Sequence, residues 1–203
     1  MGSTASAKTA LIPMQLEVTP IEGVHVIHKR IFQDGRGQFS RLYAADEFAN
    51  IGLNTRSVHV NSSTSTSKGT LRGIHFQYPP FSETKIVSCL AGAVWDVAVD
   101  LRPDSPTRFQ WFGVELTPSN GKSLHVPDGC GHAFLTLADS STVVYVVSNT
   151  YNIDYESGAK FDDPYLDIKW PPTPTVISDK DRSWKPLADR ANELLKLSQL
   201  NPS

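Results

Sequence analysis

Three side chains with different chemistry lie in the segment "GTLRGIHFQYPPFSETK", which runs from Gly69 to Lys85. Arg72 carries a forked cation that suits a phosphate, His75 can exchange a proton near neutral pH, and Lys85 carries a compact positive charge. Together they could hold an anion, move a proton and stabilise a developing negative charge. Arg72 precedes His75 by three residues, so ideal strand alternation puts the two on opposite faces. A bend at Gly73 is required if both are to serve one site.

A carboxylate and a further histidine stand in strand-like segments later in the chain. In "AVWDVAVDL" one face is apolar and predicts core, and it is formed by Trp95, Val97, Val99 and Leu101. Asp96 lies on the other face, where burial costs free energy unless a cation or hydrogen-bond donor meets it. Its position alone fits an ordinary buried salt bridge, a polar outer face or a functional role. His132 follows the turn "PDGCG", whereas surface or satisfied core positions are expected for His25, His28 and His125.

The elements around these residues are predicted to be mostly strands. Short β-rich runs separated by Gly, Pro, Asn and Asp clusters predict an all-β sandwich or barrel. These runs are "LRGIHFQ", "KIVSCLAG", "AVWDVAVDL", "FQWFGVEL", "SLHVPDG", "HAFLTLAD" and "TVVYVVSNTY". Before them, an alternating segment that ends at the turn "QDGRG" predicts a hairpin or tight corner.

Helices and loops are predicted at three places outside the β-rich runs. "LYAADEFANIGL" has the spacing of a short helix that stops at Gly52. The polar stretch from Asn61 to Gly69 contains no hydrophobic residue and is predicted to be a loop. The tail "PLADRANELLKLSQL" has a helical stripe and should pack outside the sheets. That stripe consists of Leu187, Ala191, Leu194 and Leu195.

Composition limits the class of protein. The 203 residues, 39% hydrophobic and 20% charged, predict one domain over residues 1–203, with residues 1–18 as an N-terminal extension or arm. A net charge of −2 gives no broad cationic surface, so nucleic acid is not expected as a partner. Cys89 and Cys130 lack metal or redox spacing and predict buried thiols in a reducing compartment. No run suits a membrane span or a secretory signal, so the expectation is a soluble cytoplasmic protein with no membrane partner.

The order of the motifs resembles one enzyme family. "LRGIHFQ" with a lysine eight residues after it is followed by "GAVWDVAVDLRPDSPT", "PDGCGHAFLTL", a tyrosine thirteen residues past His132, and "DDPYLDIKWP". In this order they resemble the dTDP-4-dehydrorhamnose 3,5-epimerases, which act on 4-keto-6-deoxy-sugar nucleotides. The resemblance runs from about Phe32 to Asp181. It implies a cupin-type jelly-roll barrel with a few short peripheral helices, including one at the C-terminus, that binds the sugar nucleotide inside the barrel and is usually a homodimer.

The resemblance also implies catalytic roles. His75 matches the base that removes a proton next to the ketone, and Asp181 matches the carboxylate that holds its imidazole. Lys85 matches the cation beside the 4-keto oxygen, and Tyr145 matches the general acid on the opposite face of the sugar. Inversion at C3, C5 or both then proceeds through an enolate. This chemistry requires no metal or redox cofactor, because the substrate's own ketone acidifies the neighbouring C–H bonds.

A second group of residues matches positions that bind the substrate. Arg72 matches the diphosphate ligand, while His132 and Asp96 match polar positions inside the barrel. The remaining matches, nearer the nucleotide or on strands that reach the partner subunit's site, are Phe32, Arg36, His59, Asn61 and Gln77. In the homodimer that the resemblance implies, the N-terminal strands contribute to the partner's site.

The chain departs from the family pattern near the nucleotide end. Arg41 stands where relatives carry a glutamate, and His59 stands where they commonly carry a glutamine. The polar stretch after Asn61 is one residue longer than usual, and Thr150 replaces an aromatic residue of an "NYY" run. We therefore expect the reaction class to be kept while the nucleobase or the exact sugar differs.

Several alternatives share the fold. A monofunctional 3- or 5-epimerase that uses another nucleotide would have the same catalytic residues. A sugar-nucleotide 3,4-ketoisomerase would move the carbonyl, although "RGIHFQ" with Lys85 favours an epimerase. A non-catalytic sugar-binding cupin would tolerate loss of the acid or the base, and both are present. A metal-dependent cupin dioxygenase needs a clustered ligand set such as H-x-H, and this sequence has no H-x-H.

Overall fold

The computed structural model describes residues 14–53 and 56–199. The first thirteen residues of the predicted N-terminal extension lie outside the described residues, as does Leu200 at the end of the predicted C-terminal helix. Within the rest of that extension, Gln15–Val18 forms a strand at the edge of a sheet.

Strands make up most of the regular structure, which confirms the all-β prediction. They are β1 (Gln15–Val18), β2 (His25–His28), β3 (Ile31–Asp34), β4 (Gly37–Ser40), β5 (His59–Ser65), β6 (Thr70–Gln77), β7 (Lys85–Ala91), β8 (Val94–Asp100), β9 (Trp111–Leu116), β10 (Lys122–Val126), β11 (Cys130–Thr136), β12 (Ser141–Val147), β13 (Glu156–Gly158) and β14 (Val176–Ile177). The helices are short: α1 (Ala45–Asn50), α2 (Asp179–Arg182) and α3 (Ala191–Leu194), with 3₁₀ turns at Leu187–Arg190 and Leu195–Gln199.

Two sheets form the barrel. The first has the order β1-β2-β10-β7-β12-β5, and the second has the order β13-β6-β11-β8-β9, with β14 parallel to β6. Side chains from both sheets meet in one apolar cluster, in which Val87 and Val143 of the first sheet pack with Val94 and Ala98 of the second. The apolar interior therefore lies between the sheets, as in a cupin-type jelly roll.

The second sheet is also covered on its outer face. Val97 and Val99 of β8, with Leu101 directly after it, pack against Leu187 and Leu194 of the C-terminal segment. The apolar face predicted for β8 is confirmed as core, and the face that carries Asp96 is also buried because it points into the barrel.

The C-terminal segment is helical but is not one continuous α-helix. It alternates between 3₁₀ and α geometry, which changes the set of residues that it buries. Leu187, Leu194 and Leu197 are buried, whereas Ala191 and Leu195 of the predicted stripe are exposed.

The predicted loop from Asn61 to Gly69 is wrong over its first half, because β5 extends to Ser65. This strand pairs along its whole length with β12 and forms the edge of the first sheet. It is mostly exposed, so it needs no apolar alternation, and its Ser and Thr side chains suit a solvated edge. Thr64 illustrates this, since its hydroxyl lies 3.0 Å from that of Thr142 across the pair.

The two local predictions before β5 are confirmed. β3 and β4 form an antiparallel hairpin that turns between Asp34 and Gly37. Helix α1 buries Phe48, and Gly52 follows it with φ of +85°, a conformation that glycine adopts readily.

Candidate active site

A bulge in β6 brings Arg72 and His75 to the same cavity. Against β11, His75 pairs with His132 and Arg72 pairs with Phe134, so three steps on β6 match two on β11. The extra residue reverses the alternation between them, as the predicted bend at Gly73 required. Gly73 has φ of +113°, and a Cβ there would lie 2.6 Å from the carbonyl oxygen of His132. Only glycine fits this position.

His75 and Asp181 form a hydrogen-bonded pair. His75 Nε2 lies 2.6 Å from Asp181 Oδ1, and the side chain of Asp181 is only 5% exposed, whereas that of His75 is 35% exposed. The Gly73 amide donates to the other carboxylate oxygen at 3.3 Å. Ser178 caps α2 by accepting from the Asp181 amide, which anchors the carboxylate at the start of that helix.

The electrostatics of this pair keep Asp181 ionised. Burial raises the pKa of the Asp181 carboxyl, but the hydrogen bond and the charge of His75, with the hydrogen bonds from Gly73 and Ser178, together outweigh burial and leave the pKa below its usual value. A carboxylate at this position favours the tautomer of His75 that carries its proton on Nε2. The other ring nitrogen of His75 is then free to accept a proton.

The opposite sheet supplies Lys85 and Tyr145. Lys85 begins β7 and pairs across the strands with Val147, two residues beyond Tyr145 on β12, so the lysine and the tyrosine share a face as diagonal neighbours. The Tyr145 hydroxyl makes no hydrogen bond within the described ranges. Burial and the negative charge of Glu83 raise the pKa of Tyr145 against the opposing effect of Arg72. Its phenol is therefore protonated at neutral pH.

These groups line two adjoining cavities between the sheets. The larger has a volume of about 500 Å³ and the smaller about 330 Å³, and His75, Lys85 and Tyr145 line both. Arg72 and His132 line only the larger one. Because His75 comes from β6 and Tyr145 from β12, a ligand in this space would have the base on one side and the acid on the other.

Asp96 and His132 form a second buried pair beneath the larger cavity. His132 Nε2 lies 2.9 Å from Asp96 Oδ1, and Asp96 is fully buried. The polar outer face considered for Asp96 is therefore wrong, and the pair orients His132, which lines the cavity. The second oxygen of Asp96 has no hydrogen-bond partner among the described residues.

Three further predicted residues line the smaller cavity. His59 and Asn61 reach it from the edge strand β5, and Gln77 reaches it from β6. The Gln77 amide is engaged with backbone: it donates to the carbonyls of Phe81 at 2.9 Å and Thr150 at 3.2 Å. Its oxygen accepts from the amide of Asn152 at 2.7 Å. Gln77 therefore holds the loops that frame the cavity.

Arg36 and Phe32 lie away from both cavities of their own chain. They belong to the β3–β4 hairpin, where the Arg36 side chain is 90% exposed and pairs with Asp34 at 2.7 Å. Arg41, which departs from the family pattern, forms an ion pair with Glu47 of α1. None of these residues contacts the groups that line the cavities.

Glu83 is a site residue that the sequence reading missed. It lines the smaller cavity and forms an ion pair with Lys85. Its position two residues before Lys85 could have indicated that the two side chains lie together, because residues at that spacing share a face of an extended chain.

A metal-binding cluster and a membrane-spanning helix are both absent from the described residues. These residues contain no group of three or more His, Cys, Asp or Glu side chains that could hold a metal ion. No helix within them is long and apolar enough to cross a membrane. Cys89 and Cys130 are free and buried, as predicted.

An all-β barrel with a histidine–carboxylate pair facing a protonated tyrosine and a lysine has the groups of an isomerase that moves protons on a sugar. The family model described as dTDP-4-dehydrorhamnose 3,5-epimerase matches residues 18–189. The chain belongs to this family of epimerases, as its motif order indicated.

Individual relatives cover most of the chain. The dTDP-4-dehydrorhamnose 3,5-epimerase of Sinorhizobium fredii is 40% identical over 186 residues, which is 89% of this chain and 93% of that protein. The dTDP-4-dehydrorhamnose 3-epimerase of Streptomyces niveus is 38% identical and covers 87% and 85% of the two chains. Among solved structures, NovW, a 4-keto-6-deoxy sugar epimerase from the novobiocin biosynthetic gene cluster of Streptomyces spheroides, is 37% identical. It superposes with a TM-score of 0.84 over 92% of this chain and 96% of NovW.

Proposed function

We propose that this protein epimerises a nucleoside-diphosphate 4-keto-6-deoxyhexose, with dTDP-4-keto-6-deoxyglucose as the expected substrate. The observation that carries the proposal is that His75 and Tyr145 face one cavity from opposite sheets. Inversion of a carbon centre needs this arrangement, because a proton must leave from one face of the sugar and return to the other. The names of the relatives support the choice of substrate.

In the first step, His75 removes the proton from the carbon next to the ketone. Its Nε2 is held by Asp181 at 2.6 Å, so the imidazole presents its other nitrogen as the base and becomes a cation stabilised by the carboxylate. The electrons of the broken C–H bond move to the ketone oxygen and form an enolate. Lys85 stabilises that developing charge from the opposite wall.

In the second step, Tyr145 returns a proton to the other face of the same carbon. The raised pKa of Tyr145 suits this role, since the group must carry a proton before it can donate one. Arg72 binds the diphosphate through its guanidinium, and His132, oriented by Asp96, contacts the sugar. These roles for individual residues are part of the proposal.

The proposed enzyme is a homodimer in which each hairpin β3–β4 completes the other subunit's site. Phe32 and Arg36 lie on this hairpin, are exposed, and are remote from the cavities of their own chain. A dimer gives them a ligand to bind, namely the nucleotide end of the partner's substrate. Nucleic acid and membrane are not expected as partners. We infer a cytoplasmic location, which fits the free thiols Cys89 and Cys130.

A reaction at C3 alone is a second candidate, and a specific similarity favours it. The Streptomyces niveus relative is a 3-epimerase and is nearly as similar as the 3,5-epimerase of Sinorhizobium fredii. Both reactions need the same base, acid and cation, so the catalytic residues do not separate them. Thr150, Arg41 and His59 are the departures that bear on the sugar's placement and on the nucleobase.

The test is proton NMR of dTDP-4-keto-6-deoxyglucose incubated with the protein in D₂O, with His75→Ala as the control. Deuterium entering at C3 and C5, and absent with the variant, supports the 3,5-epimerase. Exchange at C3 alone supports the second candidate. Absence of exchange with the dTDP, UDP, CDP and GDP sugars alike would contradict the proposal. A strong binding preference for dTDP over UDP, CDP and GDP would contradict only the expectation of a changed nucleobase. It would leave the proposed reaction in place.

Removal of metal ions gives a further check. We expect protein dialysed against EDTA to keep its rate of exchange within about twofold of untreated protein, because the ketone itself acidifies the C–H bonds and Lys85 supplies the positive charge. Loss of activity that returns when a divalent metal is added would contradict this mechanism.

A further inference from the structure

Glu83 places a negative charge inside the site, directly on the lysine that the reaction uses. Its carboxylate is ion-paired with the Lys85 ammonium, and both side chains are only 11% exposed. Both residues line the smaller cavity together with Tyr145. A carboxylate held this deep costs free energy of desolvation, so a simple surface salt bridge does not explain it.

The backbone around Glu83 is fixed on both sides. The side-chain amide of Asn149 donates to the carbonyl of Ser82 at 3.1 Å, and the backbone amide of Thr84 donates to the hydroxyl of Ser148 at 2.8 Å. These bonds tie the segment before β7 to the end of β12. The backbone that carries Glu83 is therefore anchored beside the strand pair that carries Lys85 and Tyr145.

Lys85 needs such a partner because its side chain is long and flexible. An ammonium on four methylene groups can occupy many positions, and a displacement of about 1 Å from a reacting atom can cost about 100-fold in rate. An ion pair with a fixed carboxylate removes most of that freedom. It also leaves the other two N–H donors of the ammonium for a ligand.

We propose that Glu83 is a positioning residue whose carboxylate fixes the Lys85 ammonium beside Tyr145 and so sets where enolate charge is stabilised. The inference rests on the proposed epimerase function and adds to it a residue that no comparison assigns. Glu83 has a second effect through space, since its charge helps to keep the Tyr145 phenol protonated.

Other charged or titratable groups also face Tyr145, and the test must separate them from Glu83. Those that line the same cavities are His59 on β5, Arg72 and His75 on β6, Lys85 on β7, His132 on β11, Tyr151 after β12, Glu156 on β13, and Lys180 and Asp181 on α2. Glu156 pairs with Lys180 at 2.5 Å and not with Lys85. Glu83 is thus the carboxylate that bonds the catalytic cation within the described part of the site.

The experiment compares Glu83→Gln, Glu83→Asp and wild type by steady-state kinetics and deuterium exchange. We expect E83Q to lower kcat by about 10- to 100-fold while KM changes less than about threefold, because ammonium placement matters most when enolate charge develops. We expect E83D, which keeps the charge on a shorter stem, to lie between E83Q and wild type. Glu17→Gln is the matched control, because Glu17 is ion-paired with His28 and lines neither cavity. It should behave as wild type.

A second readout follows the Tyr145 phenol directly. In protein labelled with [¹³Cζ]tyrosine, with Tyr145→Phe to assign the signal, E83Q should shift the Tyr145 titration to lower pH than in wild type. The sign follows because removal of a nearby negative charge makes the phenolate easier to form.

The outcomes separate the two levels of the proposal. Wild-type protein that shows no exchange overturns the epimerase function, and the role of Glu83 with it. If wild type exchanges, an E83Q kcat within twofold of wild type, a loss seen mainly in KM, or an unmoved Tyr145 titration overturns the role of Glu83 alone. Should E83Q fail to fold, E83D carries the test: a reduction in kcat of about 3- to 10-fold supports the proposal, and an unchanged kcat overturns it.

Discussion

At the scale of single residues, the site depends on which protonation state each group is held in. Asp181 is buried yet ionised because three hydrogen bonds to its carboxylate and the charge of His75 together outweigh desolvation and lower its pKa. Tyr145 is held in the opposite way, since burial and a nearby carboxylate raise its pKa. Because the two pKa values are moved apart, Asp181 can support the base as a carboxylate while Tyr145 keeps the proton of an acid at the same pH.

Asp181→Asn tests the support of the base. The amide would keep the shape but could donate to Nε2, which favours the wrong tautomer of His75 and removes the charge that stabilises its cation. We expect kcat to fall by on the order of 10³ with little change in KM, measured by coupled kinetics or deuterium exchange. Asp179→Asn, on an exposed residue of the same helix, should retain wild-type kcat. A loss below tenfold for D181N would contradict the role of the carboxylate.

Tyr145→Phe tests the acid and separates exchange from inversion. His75 would still remove the proton and could return a deuteron to the same face, so exchange in D₂O should continue while formation of the epimer falls by about 100-fold or more. NMR measures both rates in one sample. Tyr165→Phe, on an exposed tyrosine outside the cavities, is the control. Equal loss of exchange and inversion in Y145F would argue against a separate acid.

At the scale of elements, the bulge in β6 brings Arg72, the proposed phosphate ligand, to the same cavity as His75, the proposed base. Without the extra residue at Gly73, Arg72 would point away from the cavity that His75 lines. The same glycine donates its amide to Asp181, so one backbone irregularity serves three residues of the site.

Gly73→Ala should damage both stability and activity. A Cβ there would lie within 2.8 Å of three atoms of His132 and Ala133, in a backbone conformation that alanine rarely adopts. We expect a loss of about 2–5 kcal/mol in the free energy of unfolding, measured by urea denaturation, together with loss of exchange activity. Gly35→Ala has no atom within 4 Å of its new Cβ and should change stability by less than about 0.5 kcal/mol. A G73A protein as stable as G35A would contradict the packing argument.

Elements with a buried face were predictable from sequence, and the exposed β3–β4 hairpin was predictable from its turn residues, whereas the exposed edge strand β5 was not. The alternation in "AVWDVAVDL" predicted β8 because one of its faces packs on apolar side chains. β5 was not predicted, because it is an exposed edge strand whose stability comes from pairing with β12. The C-terminal stripe predicted helix correctly, but ideal 3.6-residue periodicity could not locate its 3₁₀ turns.

The candidate site was predictable to the extent that motifs mark it. His75, Lys85, Tyr145 and Asp181 were named from their order in the chain, and the structure brings all four to one place. Glu83 carries no motif of its own, and its role depends on a contact with Lys85 that only the folded chain shows. The bend at Gly73 was inferable because two residues of one site had the wrong spacing.

At the scale of the whole molecule, one chain brings the proposed reacting groups together, but its β3–β4 hairpin lies away from both of the cavities that they line. Phe39, on β4, is 62% exposed, and its ring lies 6.2 Å from that of Phe32. Arg30 lies over Phe32 at 4.3 Å, so the hairpin presents aromatic and cationic groups on one surface. Such a surface suits a nucleobase and a phosphate, and it lies away from the two cavities that His75 and Tyr145 line in the same chain. In the proposed homodimer, the substrate of the second copy of the chain is the ligand for this surface.

Subunit complementation tests that arrangement. A dimer of Arg36→Ala chains would lack the arginine at both sites, and a dimer of His75→Ala chains would lack the base at both. In a mixed dimer, one site receives its base from the first chain and its arginine from the second, so it is intact. Random assortment of equal amounts makes half the dimers mixed, so we expect about a quarter of wild-type activity after the chains are unfolded and refolded together. Activity no higher than the sum of the two parents, with native mass spectrometry showing that mixed dimers formed, would show that Arg36 serves its own subunit.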